Sequence, residues 1–231
     1  MYYKIADLTV KIDTFGTAKE RLEKYLCESP DTVDFELSSP WEKSKYLHPG
    51  VPDDVGEYMS LGVAFYDQLL KYDGLMLHSS AVVLDSKAYL FTADSGTGKS
   101  THTALWCELF GDKAVILNDD KPALRLENGK WYAYGTPFSG KNDLSADLRV
   151  EIAGIAVLER AKDNSIERFS GIKATSKILK QVYKPKSEEK RAKVLELLDK
   201  LILNVPIWEL KCNTRIEAAQ IAYEAMSAEN Q

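Results

Sequence analysis

Residues 93–100 read Ala-Asp-Ser-Gly-Thr-Gly-Lys-Ser, and they lie between an apolar run at 88–92 and a helix-like stretch at 101–110. This order predicts a strand that enters a glycine-containing loop and a helix that leaves it. The glycines let the backbone curl so that successive N–H groups face a phosphate, and the helix N-terminus adds the positive end of its dipole. The stretch therefore predicts a phosphate-binding loop.

Each residue type in the loop has a chemical reason to be there. Lys99 reaches the β- and γ-phosphates, and Ser100 supplies a hydroxyl to Mg²⁺, which prefers hard oxygen ligands. Ala93 stands where glycine is commonest, at the position that opens the turn, and the alternative interpretation is a surface turn that contains a lysine. The residues expected to contact the nucleotide are Asp94, Ser95, Gly96, Thr97, Gly98, Lys99, Ser100 and Thr101.

The composition is that of a soluble globular protein. The chain has 231 residues, of which 45% are hydrophobic and 28% charged, enough for one large or two small domains. A net charge of −5 argues against a nucleic-acid or membrane-surface partner. No apolar run approaches the ~20 residues of a membrane helix, and the first residues lack a secretory signal, so we expect a cytoplasmic protein. The three cysteines show no CxxC spacing, so no disulfide framework or zinc site is indicated.

Hydrophobic periodicity and turn residues divide the chain into an N-terminal lobe with a proline-containing loop, residues 1–53, and a core, residues 54–231. In the lobe the pattern predicts strands at 8–12 and 33–37 and a helix at 17–27. In the core it predicts helices at 54–73, 187–203 and 216–226, two strands between 75 and 93 that turn at 85–86, a buried strand at 114–117, a hairpin of 123–126 with 130–134, and strands at 154–158 and 206–211.

Two adjacent carboxylates, Asp119 and Asp120, follow the predicted strand at 114–117, twenty residues past Lys99. Phosphate-loop proteins place a metal-binding carboxylate at such a strand end. Neighbouring side chains of a strand point to opposite sides, so one carboxylate can hold the metal while the other faces the acceptor. The alternative is a solvated turn, because Asn-Asp-Asp is also good turn chemistry.

Four further residues are candidates. His78 precedes the loop strand, and a hairpin that turns at 85–86 brings it toward the phosphate end; alternatively, it is a hydrogen-bonded core histidine. His102 flanks the nucleotide or faces solvent. The glycine-bounded loop 135–141 carries Lys141 toward a phosphate or is a plain connection. Glu151 is a second metal carboxylate or an exposed charge at a strand end.

Taken together, His78, the loop at 95–100 and the pair Asp119-Asp120 resemble the bacterial HPr kinase/phosphorylase family and its fold relatives, the ATP-dependent phosphoenolpyruvate carboxykinases. The similarity covers roughly residues 75–160, and the chain looks like a compact, stand-alone homologue. The resemblance implies an α/β fold with a mixed-sheet phosphate-loop core, helices packed around it and a small N-terminal α+β lobe.

The same resemblance implies roles for the candidates. Lys99 and the loop amides hold ATP, Ser100 binds Mg²⁺, Asp119 acts as base toward an acceptor serine with His78 nearby, and Asp120 is left for the metal side. The order of roles within the acid pair stays open. The sequence at 151–154 echoes the second metal ligand of the family, Glu151, although Ala153 stands where the family has arginine. The arginine loop of the reverse, dephosphorylating reaction has no clear counterpart, and Lys141 replaces part of that charge.

These implications favour a Mg²⁺-ATP-dependent kinase that transfers the γ-phosphoryl group to a hydroxyl, with a serine of a protein or peptide as the expected acceptor. Small relatives in this family include kinases that modify serine in ribosomally made peptides, which favours a peptide. The alternatives are a nucleotide-binding regulatory module with reduced chemistry and a kinase of small-molecule hydroxyls. A homo-oligomer is an expectation that rests on the resemblance alone.

Overall fold

The computed structural model describes residues 1–28, 30–169 and 171–228. The strands in these ranges are β1 (Tyr2–Ile5), β2 (Leu8–Ile12), β3 (Phe35–Leu37), β4 (Gly74–Met76), β5 (Ser79–Leu84), β6 (Lys87–Thr92), β7 (Val115–Asn118), β8 (Ala123–Glu127), β9 (Lys130–Tyr134), β10 (Arg149–Arg160), β11 (Ser165–Arg168) and β12 (Ile207–Cys212). The α-helices are α1 (Gly16–Leu22), α2 (Trp41–Ser44), α3 (Asp53–Leu69), α4 (Lys99–Phe110), α5 (Gly171–Ile178), α6 (Glu188–Asn204) and α7 (Glu217–Ala228). Short 3-10 turns follow α1, α2, α3 and α4.

The larger sheet is mixed, with the order β4-β8-β9-β10-β6-β5-β7, while β12 pairs with β10 and β11 with β12. The strand β10 is its centre: it runs parallel to β6 on one side and, along its second half, parallel to β12 on the other. The first residues of β10 pair antiparallel with β9 instead. The sheet therefore combines a parallel centre with antiparallel hairpins.

Helices cover both faces of this sheet because its central strands are apolar on both sides. In β6, Ala88 and Leu90 belong to a buried cluster that includes residues of α5 and α6. The alternate residues Tyr89 and Phe91 belong to a second cluster with residues of α4 and α7. The sheet is thus the middle layer of three, and its strand ends are left to form a site.

The N-terminal lobe is a small sheet in which β2 pairs antiparallel with β1 and parallel with β3. Its apolar side chains share a buried cluster with Leu61, Phe65 and Leu69 of α3. The division into residues 1–53 and 54–231 stays a prediction, and this shared cluster is the contact through which the lobe packs on the core.

The structure confirms a mixed α/β fold with surrounding helices and a small N-terminal sheet. Most of the predicted core elements are present, with ends that differ by a few residues. The strand predicted at 154–158 is much longer, because β10 continues at both ends to pair with different neighbours. The predicted helix at 17–27 ends at Leu22 and continues as a 3-10 turn.

Other predictions were wrong or incomplete. The two strands expected between 75 and 93 are three, since β4 leaves the hairpin to pair with β8. The strand β7 was expected to be buried, but it lies at the sheet edge and Val115 is exposed. The elements β1, α2, β11 and α5 were not predicted; each is short, with eight residues or fewer. None of the helices that the structure describes combines the length and apolar character required to cross a bilayer.

Candidate functional site

The predicted phosphate loop connects the carboxyl end of β6 to the first turn of α4. Gly96 and Gly98 have φ angles of 78° and 122°, in the left-handed region that favours glycine. Because α4 begins at Lys99 directly after Gly98, the backbone N–H groups of its first turn have no helical acceptor and are available to an anion. Ser100 and Thr101 are exposed on this turn. The backbone therefore has the form that the glycines predicted.

The Lys99 side chain is folded into the loop. Its side chain is buried, and Nζ donates to the backbone oxygens of Ala93 at 3.0 Å and Asp94 at 3.4 Å. Burial lowers the pKa of Lys99, and the charges of Asp120, Asp119 and Asp94 oppose this change. The ammonium group thus bonds to carbonyls that a phosphate can replace, and the charges of three carboxylates act on it.

Asp119 is tied to the helix that follows the loop. Its Oδ1 accepts a hydrogen bond from Ser80 Oγ at 2.8 Å, and Ser80 Oγ lies 2.8 Å from Thr103 Oγ1 of α4. Ser80 and Thr103 are both fully buried. Asp119, the base expected from the sequence, is therefore oriented by β5. This strand lies between β6, which leads into the loop, and β7, which leads into the acid pair.

Asp120 contacts His78 and Lys121. Its Oδ1 lies 3.3 Å from His78 Nε2, and Lys121 Nζ donates to its Oδ2. Burial alone raises the pKa of Asp120, but the hydrogen bonds from His78 and Lys121 outweigh it and lower that pKa to about 2. His78 was expected beside Asp119; its ring contacts Asp120 instead, because the two side chains diverge at the strand end.

The turn that carries the acid pair is fixed by its first residue. Asn118 Oδ1 accepts from the backbone N–H groups of Asp120 at 3.0 Å and Lys121 at 2.7 Å. Asn118 Nδ2 donates to the backbone oxygen of Thr136 at 3.0 Å. Residues 118–121 therefore form the turn that their sequence favours. The same turn directs the two carboxylates, so the turn and the acid pair are compatible interpretations.

Gln181, which was not predicted, joins the acid pair to the loop. Its Oε1 lies 3.1 Å from His78 Nδ1, and its Nε2 donates to Asp94 Oδ1 at 2.8 Å. Gln181 also binds the His78 backbone, whose N–H donates to the Gln181 carbonyl at 2.8 Å. A glutamine so far along the chain from its partners has no local signal, and only the tertiary fold brings it here.

Arg160 was also missed, and the strand register explains its position. Val157 of β10 is opposite Thr92, the last residue of β6, so the end of β10 continues beside the loop. There Arg160 Nε donates to the Thr97 carbonyl at 3.0 Å, and its Nη2 donates to the Gly96 carbonyl. These bonds hold the outer side of the loop through its carbonyl oxygens and use none of its N–H groups, of which the Thr97 N–H donates to the Asp94 carbonyl at 3.2 Å.

The loop 135–141 approaches Asp120 through its backbone. A Cβ on Gly140 would lie 2.9 Å from Asp120 Cβ, and the φ of Gly140 is 78°, so this close contact requires glycine. Arg21 of α1 donates to the Gly140 carbonyl, while the Lys141 side chain is exposed. The structure therefore brings the loop to the acid pair, with Lys141 at its rim.

Glu151 is not brought to the loop. It forms ion pairs with Lys87 at 3.0 Å and Lys130 at 3.3 Å, and the hydrogen bond from Lys87, with that from Lys130, lowers its pKa although burial opposes the change. Glu151 is opposite Lys87, at the start of β6. At about 3.3 Å per residue, this end of β6 is about 16 Å from the end that enters the loop.

Two cavities flank the loop. The larger, about 560 Å³, is lined by residues 93–97 of the loop, 157–160 of β10, and Lys177, Lys180, Gln181 and Glu209. The smaller, about 360 Å³, lies beside the first turn of α4, and its apolar lining includes Leu105, Leu158 and Ala161. The two cavities adjoin each other, since Thr97, Leu158, Glu159 and Arg160 line both.

A magnesium ion fits the donors at the loop. Among residues 1–28, 30–169 and 171–228, no cluster of three or more His, Cys, Asp or Glu side chains is placed to hold a metal. Mg²⁺ does not need such a cluster, because it keeps waters and binds through one or two carboxylates together with substrate phosphates. The Ser100 hydroxyl and the carboxylates of Asp119 and Asp120 are hard oxygen donors of the required kind.

No known protein family and no curated protein matches the sequence. A search of solved structures finds matches, among them the HPr(Ser) kinase/phosphatase from Coxiella burnetii. That similarity has 11% sequence identity and a TM-score of 0.40, and it covers 67% of this chain and 96% of the other. At so low a TM-score we draw nothing from it, and the functional inferences below rest on the residues of this chain.

Proposed function

We propose that the protein is a Mg²⁺-ATP-dependent kinase that transfers the γ-phosphoryl group to a serine of a protein or peptide. The observation that supports this most is that the phosphate loop and the acid pair lie on either side of one strand, β5. The phosphate loop follows β6, the acid pair follows β7, and β5 between them carries Ser80, which hydrogen-bonds Asp119. Phosphoryl transfer requires mainly positioning and charge neutralisation, and these two features supply both.

In the proposed reaction the serine oxygen attacks the γ-phosphorus, and the bond from that phosphorus to the β–γ bridging oxygen breaks. ADP leaves with the bridging oxygen, and the serine proton passes to a carboxylate. The N–H groups of the loop and Lys99 bind the phosphates. Mg²⁺ would neutralise the charge of the transferred group, with Ser100 and Asp120 as its protein ligands.

The pKa of Asp120 favours one order of roles within the acid pair. A carboxylate whose pKa is lowered to about 2 is a weak base but remains charged, which suits a metal ligand. Asp119 is left as the acceptor of the serine proton. Its hydrogen bond from Ser80 occupies Oδ1 and leaves Oδ2 for the substrate. His78, in contact with Asp120, serves to position that carboxylate.

The two cavities suit the two substrates. The smaller combines apolar walls with several polar side chains, which can orient a small molecule, and it adjoins Thr97, Gly98 and Thr101 of the loop and α4. We assign it to the nucleoside. The larger is more polar and is lined by Gln181, which contacts His78, so we assign it to the acceptor.

The experiment that tests this function measures ATP binding by calorimetry and ADP formation with Mg²⁺ and serine-containing peptides. The wild-type protein should bind ATP and form ADP, and Lys99→Ala should lose both, because a buried ammonium at the phosphates is removed. Lys113→Ala is the matched control, since Lys113 is exposed after α4 and should behave as wild type.

Three results would contradict the proposal in different ways. Absence of ATP binding by the wild-type protein would remove the nucleotide site. Binding without turnover for any hydroxyl acceptor would favour a regulatory module. Phosphorylation of free serine in preference to peptides would favour a small-molecule kinase.

A further inference from the structure

The segment from Gly171 to Ser187 differs in charge from the rest of this acidic chain. It contains five lysines and no aspartate or glutamate, although the chain as a whole has a net charge of −5. The lysines are Lys173, Lys177, Lys180, Lys184 and Lys186. All five are exposed. We call residues 171–187 the lysine segment.

The lysines of the next helix are arranged differently. In α6, Lys193 pairs with Asp73 at 2.9 Å and Lys200 pairs with Glu196 at 2.6 Å, while Lys190 pairs with Asp67. In the part of the chain that the structure describes, none of the lysines of the lysine segment forms an ion pair. A helix C-terminus attracts cations, but that effect covers only the last turn of α5 and does not account for Lys184 and Lys186.

The lysine segment adjoins the proposed acceptor cavity. Lys177 and Lys180 line it together with Gln181, which contacts His78 and Asp94. The carboxylates of the opposite wall, Glu159 and Glu209, belong to β10 and β12. The cavity therefore has a basic wall on the α5 side, while its strand side carries both signs of charge, with Arg160 beside the two glutamates.

The spacing of the lysines defines a line that leads away from the cavity. Lys173 and Lys177 are four residues apart, which places them on the same face of α5, and Lys180 follows in the turn after it. The line is about 10 Å long at about 1.5 Å per residue. An extended peptide covers this length with about three residues.

On the premise of the proposed function, we infer that the lysine segment recognises an acidic stretch of the acceptor peptide, within about three or four residues of the phosphorylated serine. Its carboxylates would contact Lys173, Lys177 and Lys180 while the serine enters the cavity beside Gln181. A peptide fits better than a nucleic acid, because Tyr183, the aromatic residue of the segment, is half-buried and its hydroxyl donates to Asp67 Oδ1 at 3.4 Å. Base stacking requires exposed aromatic faces.

The test measures peptide binding without nucleotide, by fluorescence anisotropy of a labelled serine peptide with neighbouring Glu and Asp, and of the same peptide with Gln and Asn in their place. The acidic peptide should bind at least about tenfold more tightly, and the difference should shrink with added salt. The double variant Lys177→Glu/Lys180→Glu should lose about tenfold in affinity for the acidic peptide. Lys43→Glu/Lys71→Glu, with two exposed lysines elsewhere, is the control and should bind as wild type.

Equal binding of the two peptides, or equal loss in the two double variants, would overturn the inference, provided that thermal unfolding shows both variants folded. Tighter binding of single-stranded DNA than of the acidic peptide would also overturn it. Calorimetry of the wild-type protein with ATP separates this inference from the proposed function. Peptide binding without ATP binding would refute the kinase alone, and ATP turnover with no preference for the acidic peptide would refute the recognition alone.

Discussion

The side-chain amide of Gln181 donates from Nε2 to Asp94 Oδ1 at 2.8 Å. Because a carboxylate only accepts, this bond fixes which end of the amide faces the loop, and the oxygen of Gln181 must then face His78 Nδ1. His78 Nδ1 has to donate to that oxygen, while its Nε2 faces the carboxylate of Asp120. The orientation of Asp94 in the loop thus determines the orientation of the histidine at the acid pair.

The first prediction concerns Gln181 as a positioning residue. Gln181→Ala should lower kcat by about 10- to 100-fold, because His78 and Asp120 lose their alignment, and should leave KM for ATP within about twofold. Gln181→Glu keeps an acceptor toward His78 but sets a second carboxylate against Asp94, so it should lose kcat as well. Steady-state kinetics checks both variants, with Gln220→Ala, an exposed glutamine of α7, as the control. A parallel loss in the control, or a rise in KM alone, would contradict the role.

The second prediction concerns Ser80, whose hydroxyl donates to the buried Asp119. Ser80→Ala should lower the free energy of unfolding by about 1–3 kcal/mol, since a buried carboxylate loses its donor and Thr103 loses a partner. It should also lower kcat, because Asp119 is no longer oriented. Urea unfolding and turnover measurements check the two effects. Ser38→Ala, at an exposed serine after β3, should change neither; a Ser80 variant of unchanged stability would show that the hydrogen bond contributes nothing net.

The loop and its flanking elements could be predicted from the sequence because their signals are local. Glycines with a following lysine and helix define the loop, and a β-branched run followed by Asn-Asp-Asp defines the end of β7. These patterns depend on backbone geometry within a few residues, and the structure places both as expected. The pairing of β10 with its neighbouring strands has no such local signal in the sequence, so the length of β10 was underestimated.

The residues that complete the site could not be predicted, since each depends on a contact between distant parts of the chain. Nothing in the local sequence distinguishes Gln181 and Arg160 from other polar residues. The turn after α5 brings Gln181 to the site, and the strand register of β10 brings Arg160 to the loop. Glu151 is the complementary case. Its local pattern suited either a metal ligand or a charge at a strand end, and the direction of β10 places it opposite Lys87, at the end of β6 away from the loop.

The third prediction tests the assignment of the smaller cavity to the nucleoside. Ala161→Trp places a large ring in that cavity, so ATP affinity should fall at least about tenfold while inorganic tripolyphosphate, which needs only the loop, binds as before. Calorimetry with the two ligands measures both affinities. Ala228→Trp, at the exposed end of α7, is the control. Unchanged ATP affinity in Ala161→Trp, or equal loss for both ligands, would place the nucleoside elsewhere.

The fourth prediction concerns His102, which lies buried beside Phe91 with its Nε2 accepting a hydrogen bond from Trp106 Nε1 at 3.2 Å. That bond requires an unprotonated Nε2, so the proton is on Nδ1, which has no hydrogen-bond partner among the described residues. Burial lowers the pKa of His102 from 6.5 to about 4. The sequence left open whether this histidine flanks the nucleotide or faces solvent; in the structure it is buried, and it also lines the smaller cavity that we assign to the nucleoside.

The depressed pKa makes stability depend on pH with a definite sign. Between about pH 6.5 and about pH 4 the unfolded chain binds a proton at His102 that the native protein does not, so the free energy of unfolding falls as the pH falls through this window. The loss should approach about 3 kcal/mol, for a pKa difference of about 2.5. Urea unfolding from about pH 7.5 to about pH 4.5 measures it. In His102→Gln most of this dependence should disappear, whereas His48→Gln, at an exposed histidine, should keep it. If the two variants have the same pH profile as the wild type, His102 is not the group that titrates.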